Sequence, residues 1–376
     1  MKPVLLMVVN DSDFFLSHRL PIAEGAFQAG YKVHIATKPG KSVAAIRNQG
    51  FHYHELPLSR SGKNLLMELG SFISIWCLCW RLRPDVLHLV TIKPVLYGGI
   101  AARIAPVKGV VAAISGLGFV FMANGAKAAV FRGLVSRLYR LALGKRNVQV
   151  VFQNPDDRET LVKLGAISNE KSVLIRGSGV DLSLCQPYPE SAGTPIVTLA
   201  ARLLRDKGVV EFVEAARLLQ QRGAQARFQL VGDLDPDNPT SISIEELEQW
   251  RSEGVIECLG YRRNIAQVFA ESHVIVLPSY REGLPKVLVE AAACGRAVVT
   301  TDVPGCRDAI EVNVTGLLVP VRDCVALADA IQKLVEDPEL RQRLGRAGRE
   351  LAEREFAIEN VVQQHLDIYR TLGSAV

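Results

Sequence analysis

Two doubly wound α/β domains are the architecture this sequence predicts, and three observations predict it. Both halves alternate short β-branched runs with amphipathic helical stretches, the pattern of parallel sheets covered by helices. The chain has 376 residues, more than one hydrophobic core usually supports at roughly 100–200 residues per domain. The alternation is interrupted once, between residues 177 and 195, by Gly177-Ser178-Gly179-Val180-Asp181 and then Pro187, Pro189, Ser191, Gly193 and Pro195, a turn-rich run with little helical or strand period.

The first element is the run Val4-Leu5-Leu6-Met7-Val8-Val9. It follows one lysine, is too short for the apolar region of a secretion signal, and is followed directly by Asn10, Asp11 and Asp13, so it reads as a buried first strand. Further strands are expected at 32–36, 86–90, 110–114 and 148–152, with helices near 18–29, 64–82, 95–105 and 127–143. The second half repeats the pattern, with strands near 196–200, 227–231, 255–258, 274–277, 297–300 and 317–319 and helices near 208–222, 243–252, 264–270, 285–294 and 325–335. The expected division is therefore a first domain at 1–177, a hinge at 178–194, a second domain at 195–356, and a terminal segment 357–376, helical over about 357–371, that crosses back to the first domain. Paired sheets of this kind take ligands at the C-terminal ends of their strands, hence in a cleft between the domains.

Composition narrows the class. With 48% hydrophobic and 22% charged residues and no low-complexity tract, disorder is excluded. Seven scattered cysteines without C-x-x-C spacing indicate neither a disulfide framework nor a zinc site, and a reducing cytoplasm fits them best. The net charge of +5 hides an asymmetry: residues 1–185 carry 23 Lys and Arg against 11 Asp and Glu, or +12, and the remainder carries −7. Residues 101–150 hold eight basic residues (Arg103, Lys108, Lys127, Arg132, Arg137, Arg140, Lys145, Arg146) and no acid. An anionic partner is implied. Without interleaved aromatics or a nucleic-acid motif, that partner is an anionic membrane or a phosphorylated acceptor, not nucleic acid.

The most informative stretch is Leu277-Pro278-Ser279-Tyr280-Arg281-Glu282-Gly283-Leu284-Pro285-Lys286-Val287-Leu288-Val289-Glu290-Ala291. A buried strand ends, a loop carries Glu282 and Gly283, and Pro285 suits a first helical position because its missing donor is not needed there. Backbone N–H groups at such a helix start favour a phosphate, and Gly283 lets the ligand approach. Glu290, five residues past Pro285, stands about 7.5 Å along the helix. Two carboxylates thus flank one anion site, an arrangement that suits a nucleotide sugar, with one carboxylate toward the sugar hydroxyls and the other toward the ribose. Alone, two glutamates eight apart would be solvated side chains; the surrounding loop reverses that.

The second cluster, Ala200-Ala201-Arg202-Leu203-Leu204-Arg205-Asp206-Lys207-Gly208, also follows a strand and precedes a helix. Arg202 and Lys207 would bring two cations to the strand ends, where a leaving diphosphate needs neutralising as its bond to the sugar breaks. They would replace a metal ion. Asp235-Pro236-Asp237 has the form of a metal-binding D-x-D, but Pro and Asn neighbours make it an ordinary turn, and no metal cofactor is expected.

These features together resemble family 4 glycosyltransferases of the GT-B fold, over essentially the whole chain. Glu282 and Glu290 match the E-x₇-E signature, and Glu282-Gly283-Leu284-Pro285, Arg202 and Lys207 before Gly208, the 177–181 linker and Pro304-Gly305 before Asp308 fit it jointly. The resemblance implies a metal-independent transferase that retains anomeric configuration. The C-terminal domain would hold a UDP-sugar through Gly283, Leu284, Pro285, Glu290, Arg262 and Arg263, with Arg202, Lys207 and Glu282 as catalytic residues, and the N-terminal domain would hold the acceptor.

More narrowly, Phe14-Phe15-Leu16-Ser17-His18-Arg19-Leu20-Pro21, His88 through Lys93-Pro94, Ser115-Gly116-Leu117-Gly118-Phe119-Val120-Phe121, and Gly232-Asp233-Leu234-Asp235 to Asn238-Pro239 resemble bacterial enzymes that extend a polyprenyl-diphosphate-linked sugar, often with N-acetylgalactosamine. That implies a polyprenyl-diphosphate-linked acceptor in surface-glycan synthesis, met by Asp13, His18, Arg19, Lys93, Ser115 and Gly116, at the inner face of the cell membrane. The chain departs from many relatives in reading Asn10-Asp11-Ser12-Asp13 where they carry Gly-Gly, and Ser115-Gly116 where they carry a histidine.

The stretch between Leu65 and Leu82, with Phe72, Ile73, Ile75, Trp76, Leu78 and Trp80 before Arg81 and Arg83, is too short and interrupted to span a bilayer. It reads either as an interfacial helix with tryptophans at headgroup depth or as a buried one. His88, ending an apolar run, reads as structural. Rival functions are a nonhydrolysing UDP-sugar epimerase, transfer to a soluble acceptor, and a non-catalytic nucleotide-sugar binder; a dinucleotide oxidoreductase is disfavoured because no G-x-G-x-x-G follows the first strand.

Overall fold

The computed structural model describes residues 2–58, 65–117 and 126–374, and of residues 65 and 126–132 the backbone alone. The chain divides into two compact units, residues 1–178 with 358–376, and residues 179–357. The run read as a hinge therefore belongs, from Gly179 on, to the second unit.

The first unit holds seven strands, β1 (Val4–Val9), β2 (Lys32–Thr37), β3 (His52–Glu55), β4 (Val86–Val90), β5 (Gly109–Ile114), β6 (Val148–Phe152) and β7 (Ser172–Leu174), in the order β3-β2-β1-β4-β5-β6-β7. Every pairing is parallel. The strands are near-continuous apolar runs because both faces are covered. Leu6, Val8, Leu87, Leu89 and Val110 pack with helix residues Ile75, Leu78 and Val95, while Leu5, Met7, Val9 and Val111 pack on the opposite face with Ile22, Ala26, Val361 and Leu372. The last two come from the terminal helix Ile358–Ser374, whose buried Val361, His365, Leu366, Tyr369 and Leu372 recur at helical spacing.

The second unit holds β8 (Ile196–Ala200), β9 (Arg227–Val231), β10 (Glu257–Gly260), β11 (Val274–Leu277), β12 (Ala297–Thr301) and β13 (Gly316–Val319), in the order β10-β9-β8-β11-β12-β13 and again all parallel. One face buries Val197, Leu199, Val274 and Val276 against Phe212, Val213, Trp250 and Ile331; the other buries Ile275, Leu277 and Val298 against Leu288, Ala292 and Phe356. Val180 closes the unit by donating its N–H to Phe356 O at 2.8 Å.

Elements missed by periodicity are short, polar or both. β3 reads His-Tyr-His-Glu at a sheet edge, β7 has three residues, and helices Val43–Asn48, Pro155–Lys163 and Pro338–Leu351 carry weak or strongly charged patterns. The helix expected at 18–29 is two helices, Ser12–His18 and Leu20–Gln28, interrupted at Arg19, with Pro21 in the first turn of the second helix. Asp11 starts the first by accepting N–H bonds from Asp13 at 2.9 Å and Phe14 at 3.1 Å.

The basic segment 101–150 is less available than its composition suggests. Arg103 donates to Leu141 O, Lys145 to Ala102 O, and Arg140 to Leu164 O and Gly165 O, while Lys108 pairs with Asp85 at 2.7 Å. Such bonds terminate helices by satisfying their last carbonyls. Arg137 and Arg146 are exposed; the side chains of Lys127 and Arg132 lie outside the described residues.

Helix Leu65–Leu82 also divides its side chains. Ile75, Leu78 and Cys79 are buried, Phe72 and Trp76 pack against that core, and Leu66, Leu69, Ile73 and Trp80 stand exposed at spacings of three, four and seven along one face. Trp76 thus belongs to the packed side, a correction to the pairing of both tryptophans at an interface. Among the described residues no helix is long and apolar enough to cross a membrane.

Candidate functional site

In the second unit, the C-terminal ends of β8 and β11 carry the two loops singled out in the sequence. The β8 loop ends in a turn, Arg205–Lys207, and Gly208 caps helix Val209–Gln221 at φ 71°. A Cβ there would come within 2.2 Å of Pro278 O, so only glycine lets the basic loop lie against the end of β11. Tyr280 completes the tie by donating its N–H to Asp206 O at 2.9 Å.

That contact brings the predicted cation and carboxylate together. Lys207 Nζ bonds Glu282 Oε1, and Ser279 Oγ donates to the same oxygen at 2.7 Å. The side chains of Lys207 and Glu282 are 22% and 13% exposed, so the pair is largely withdrawn from water and is stronger than a surface pair. Glu282 is anchored through its N–H to Pro304 O at 3.1 Å, and Gly305 N–H in turn is held by Asp308 Oδ2 at 2.8 Å. Tyr280 is clamped between Glu211, which accepts its hydroxyl at 2.6 Å, and the Arg322 guanidinium, 4.5 Å above its ring.

Pro285 is the N-cap of helix Lys286–Ala293, one residue earlier than the first helical position expected, and Leu284 is buried beside it. Glu290 lies one turn into that helix, with Lys286 Nζ at 3.2 Å. Burial raises its carboxyl pKa, and Lys286 only partly opposes this. Arg202, also in the β8 loop, pairs at 2.6 Å with Oδ2 of Asp235 in the loop after β9. A cavity of about 400 Å³ is lined by Leu203 and Leu234, the chain neighbours of this pair, with Leu230, Asp233, Leu247 and Cys258 among others. Arg262 and Arg263 are exposed in the loop after β10, outside the contacts that join the other residues.

In the first unit, Val9 pairs with Val90 and Val90 with Ala113, so Asn10, Thr91 and Ser115 emerge side by side at the C-terminal edge of β1, β4 and β5. Arg19 is buried beneath them, donating Nη2 to Ser115 Oγ at 3.1 Å and Nη1 to His18 O at 3.0 Å. Burial lowers its pKa to about 10. Its Nε, Asn10 Oδ1 and Thr91 Oγ1 are buried with no hydrogen-bond partner among the described residues, and such atoms mark a place for water or a polar ligand. His18 stacks on Phe14 at 4.2 Å between ring centroids and meets Ser17 Oγ through Nδ1 at 2.7 Å. Asp13 takes the Ser42 hydroxyl.

Lys93, expected to meet an acceptor phosphate, is paired with Glu68 at 2.7 Å, and Glu68 also takes the Tyr97 hydroxyl. Of the Ser115 motif, residues 118–121 lie outside the described residues, whereas Gly116 is described at φ 118°. His88 is fully buried, its Nδ1 2.5 Å from the Tyr369 hydroxyl of the terminal helix, in keeping with a structural reading. Sequence reasoning missed Ser279, Tyr280 and Glu211 as supports of the Glu282 loop, because nothing local marks their long-range partners.

Comparison with known proteins agrees with this geometry. Residues 186–351 match the family described as glycosyl transferases group 1, and residues 4–154 match the family described as glycosyl transferase 4-like. The N,N'-diacetylbacillosaminyl-diphospho-undecaprenol alpha-1,3-N-acetylgalactosaminyltransferase of Campylobacter jejuni is 30% identical, over 94% of this chain and 97% of its own. The UDP-Gal:alpha-D-GlcNAc-diphosphoundecaprenol alpha-1,3-galactosyltransferase of Escherichia coli is 24% identical over 73% of this chain and 72% of its own. Among solved structures, Anabaena HepE in complex with UDP superimposes with a TM-score of 0.77 at 19% identity, covering 99% of this chain and 100% of that one. The two parallel sheets, the linked β8 and β11 loops and these matches lead to one conclusion: the chain belongs to the family 4 glycosyltransferases and has the GT-B fold.

Proposed function

We propose that this glycosyltransferase moves an N-acetylhexosamine or hexose, N-acetylgalactosamine before others, from a UDP-sugar to a polyprenyl-diphosphate-linked sugar in bacterial surface-glycan synthesis, with retention of configuration. The observation that carries this reading is the nearly full-length similarity to the Campylobacter jejuni N-acetylgalactosaminyltransferase, together with the Lys207, Glu282 and Ser279 cluster at the end of β11. In this reading Lys207 and Arg202 neutralise the diphosphate as the glycosidic bond to it breaks, so that charge on the leaving UDP is met by cations already in place. Glu282, held on one oxygen by Lys207 and Ser279, presents its other oxygen to the sugar hydroxyls. Glu290 accepts from the ribose, and the apolar cavity beside Asp233 receives the base. Arg19, Ser115, Asn10 and Thr91 face the acceptor's phosphate and hydroxyl groups in the first unit, and the Arg202 and Lys207 cations take the charge-neutralising part a metal ion would otherwise supply.

The exposed Leu66, Leu69, Ile73 and Trp80 face, followed by Arg81 and Arg83, supports peripheral attachment to an anionic bilayer at its cytoplasmic side. The deciding experiment offers a panel of UDP-hexoses and UDP-N-acetylhexosamines with a short polyprenyl-diphosphate-linked N-acetylhexosamine and reads the products by mass spectrometry and anomeric NMR. An α-linked product from UDP-N-acetylgalactosamine, formed equally in EDTA, is expected. Sugar interconversion without any acceptor would replace the reading with an epimerase, and complete, reversible loss in EDTA would remove the metal-independent mechanism.

A further inference from the structure

We infer that Asp235 is the positioning residue for Arg202, fixing the direction in which that guanidinium presents its hydrogens to a diphosphate; this rests on the donor-site reading above. The D-x-D turn containing Asp235 would ordinarily be a solvated loop. Instead it is stitched to the basic loop on both sides. Leu203 N–H donates to Asp233 O at 3.0 Å, Ile242 N–H donates to Leu203 O at 2.9 Å, and Leu204 bridges to Ser241 in antiparallel register. Inside the turn, Asn238 N–H donates to Asp235 O at 2.8 Å, and Asp235 N–H donates to Ser241 Oγ at 3.1 Å. The turn lies this close to the basic loop because Gly232, at φ 142°, leaves β9 where a Cβ would sit 1.8 Å from Ala201 O.

The exposures of the two partners indicate which one serves the other. The Asp235 side chain is 13% exposed and Arg202 is 50% exposed. An ordinary surface ion pair exposes both partners and contributes little. Here the carboxylate is withdrawn and fixed by its own backbone bonds, and the guanidinium is held from behind through Nη1 alone. A guanidinium has five N–H donors, and this contact uses Nη1, which leaves others of a planar fork that suits two phosphate oxygens. Asp235 therefore restricts a long side chain that would otherwise lose rotamer freedom only when the diphosphate arrives.

The test is a double-mutant cycle on the full chain, reading kcat, donor KM and UDP affinity with UDP-N-acetylgalactosamine and the lipid-linked acceptor. Asp235→Asn keeps the shape but removes the charge, so Arg202 gains reach and loses direction. The expected result is a fall in kcat of about tenfold, with UDP affinity unchanged or higher and an unchanged thermal midpoint. Asp235→Glu restores part of the loss, and Asp235→Asn adds nothing in an Arg202→Ala background. An equal loss from Asp235→Asn with and without Arg202 overturns the inference and leaves the donor-site reading standing. Near-normal turnover of Arg202→Ala overturns both. A loss in Asp235→Asn that added magnesium or manganese restores would make Asp235 a metal ligand and overturn the inference.

Discussion

The two units share one architecture and use their buried polar groups in opposite ways. In the second, Lys207 has Glu282 beside it, Arg202 has Asp235 and Lys286 has Glu290, while Arg262 and Arg263 stand exposed. In the first, Arg19 is buried against neutral partners, near His88, His365 and Tyr369, and six of the chain's seven histidines lie in that unit. A paired cation can exchange a carboxylate for an incoming phosphate with little change in charge. An unpaired buried one is raised in energy by desolvation and gains most from an anion or hydroxyl-rich ligand. One fold thus carries a charge-balanced cluster in the second unit and a buried cation among neutral partners in the first.

The largest effect that could break this contrast is catalytic. Lys207→Ala and Arg202→Ala are each expected to lower turnover about 10²–10³-fold, the usual loss of a charge partner in the transition state, while circular dichroism and the thermal midpoint stay near those of the parent. Near-normal turnover of the double variant would show that the paired cations of the second unit are ordinary surface residues.

Acid sharpens the comparison next. Burial holds the His365 imidazole at about 4 and the His88 imidazole well below its ordinary value of 6.5. An unfolded chain titrates these groups near 6.5, so below that pH the unfolded state takes up protons that the folded state refuses. Their contribution to stability is complete above about pH 6.5 and is lost as pH falls toward 4, for His365 about 3 kcal/mol. His34 and His54, stacked on each other at the sheet edge and also held at about 4, act in the same direction. The second unit has His273 alone, its pKa also lowered by burial, and its salt-bridged Glu190 and Glu257, held below their ordinary values, fail only at lower pH. Hydrogen exchange read by mass spectrometry at pH 7, 5.5 and 4.5 should show β4 and the terminal helix opening before β11 and β12. Simultaneous opening of both units would remove the distinction.

Within the donor site, Glu290→Ala is expected to weaken UDP binding about tenfold, the loss of a hydrogen bond to a partly desolvated carboxyl, and Glu282→Ala to impair transfer while leaving UDP bound. Titration calorimetry with UDP checks both, and equal losses of affinity would contradict the division between ribose and sugar. The smallest effect is at the helix face. Trp80→Ser should make sedimentation with anionic liposomes more salt-sensitive without lowering stability, because apolar burial resists salt and charge attraction does not. Trp76→Ser should lower the thermal midpoint, since Trp76 packs into the core. Retention of full salt resistance in Trp80→Ser would exclude this face from membrane contact.

Much of this was legible before any coordinates. Strand and helix periods are local, so eleven of the thirteen described strands and most covering helices could be read directly, whereas the polar edge strand His52–Glu55, the three-residue β7 and helices Val43–Asn48, Pro155–Lys163 and Pro338–Leu351 carry too weak or too charged a pattern. The loops at the ends of β8 and β11 were legible because a strand end, a glycine and a helix start lie within ten residues, and their side-chain chemistry is fixed by composition. What the sequence left open was pairing. Arg202 meets Asp235 across 33 residues, Lys207 meets Glu282 across 75, and His88 meets Tyr369 across 281. Sheet order and the return of the terminal helix decide those contacts, and no periodicity encodes them. The charge of the first half shows the same limit: sequence alone determined its sum, but only the tertiary structure decided that Arg103, Arg140 and Lys145 would meet backbone carbonyls. Charge is a property of residues, whereas its availability depends on which helix ends the folded chain brings within hydrogen-bond reach.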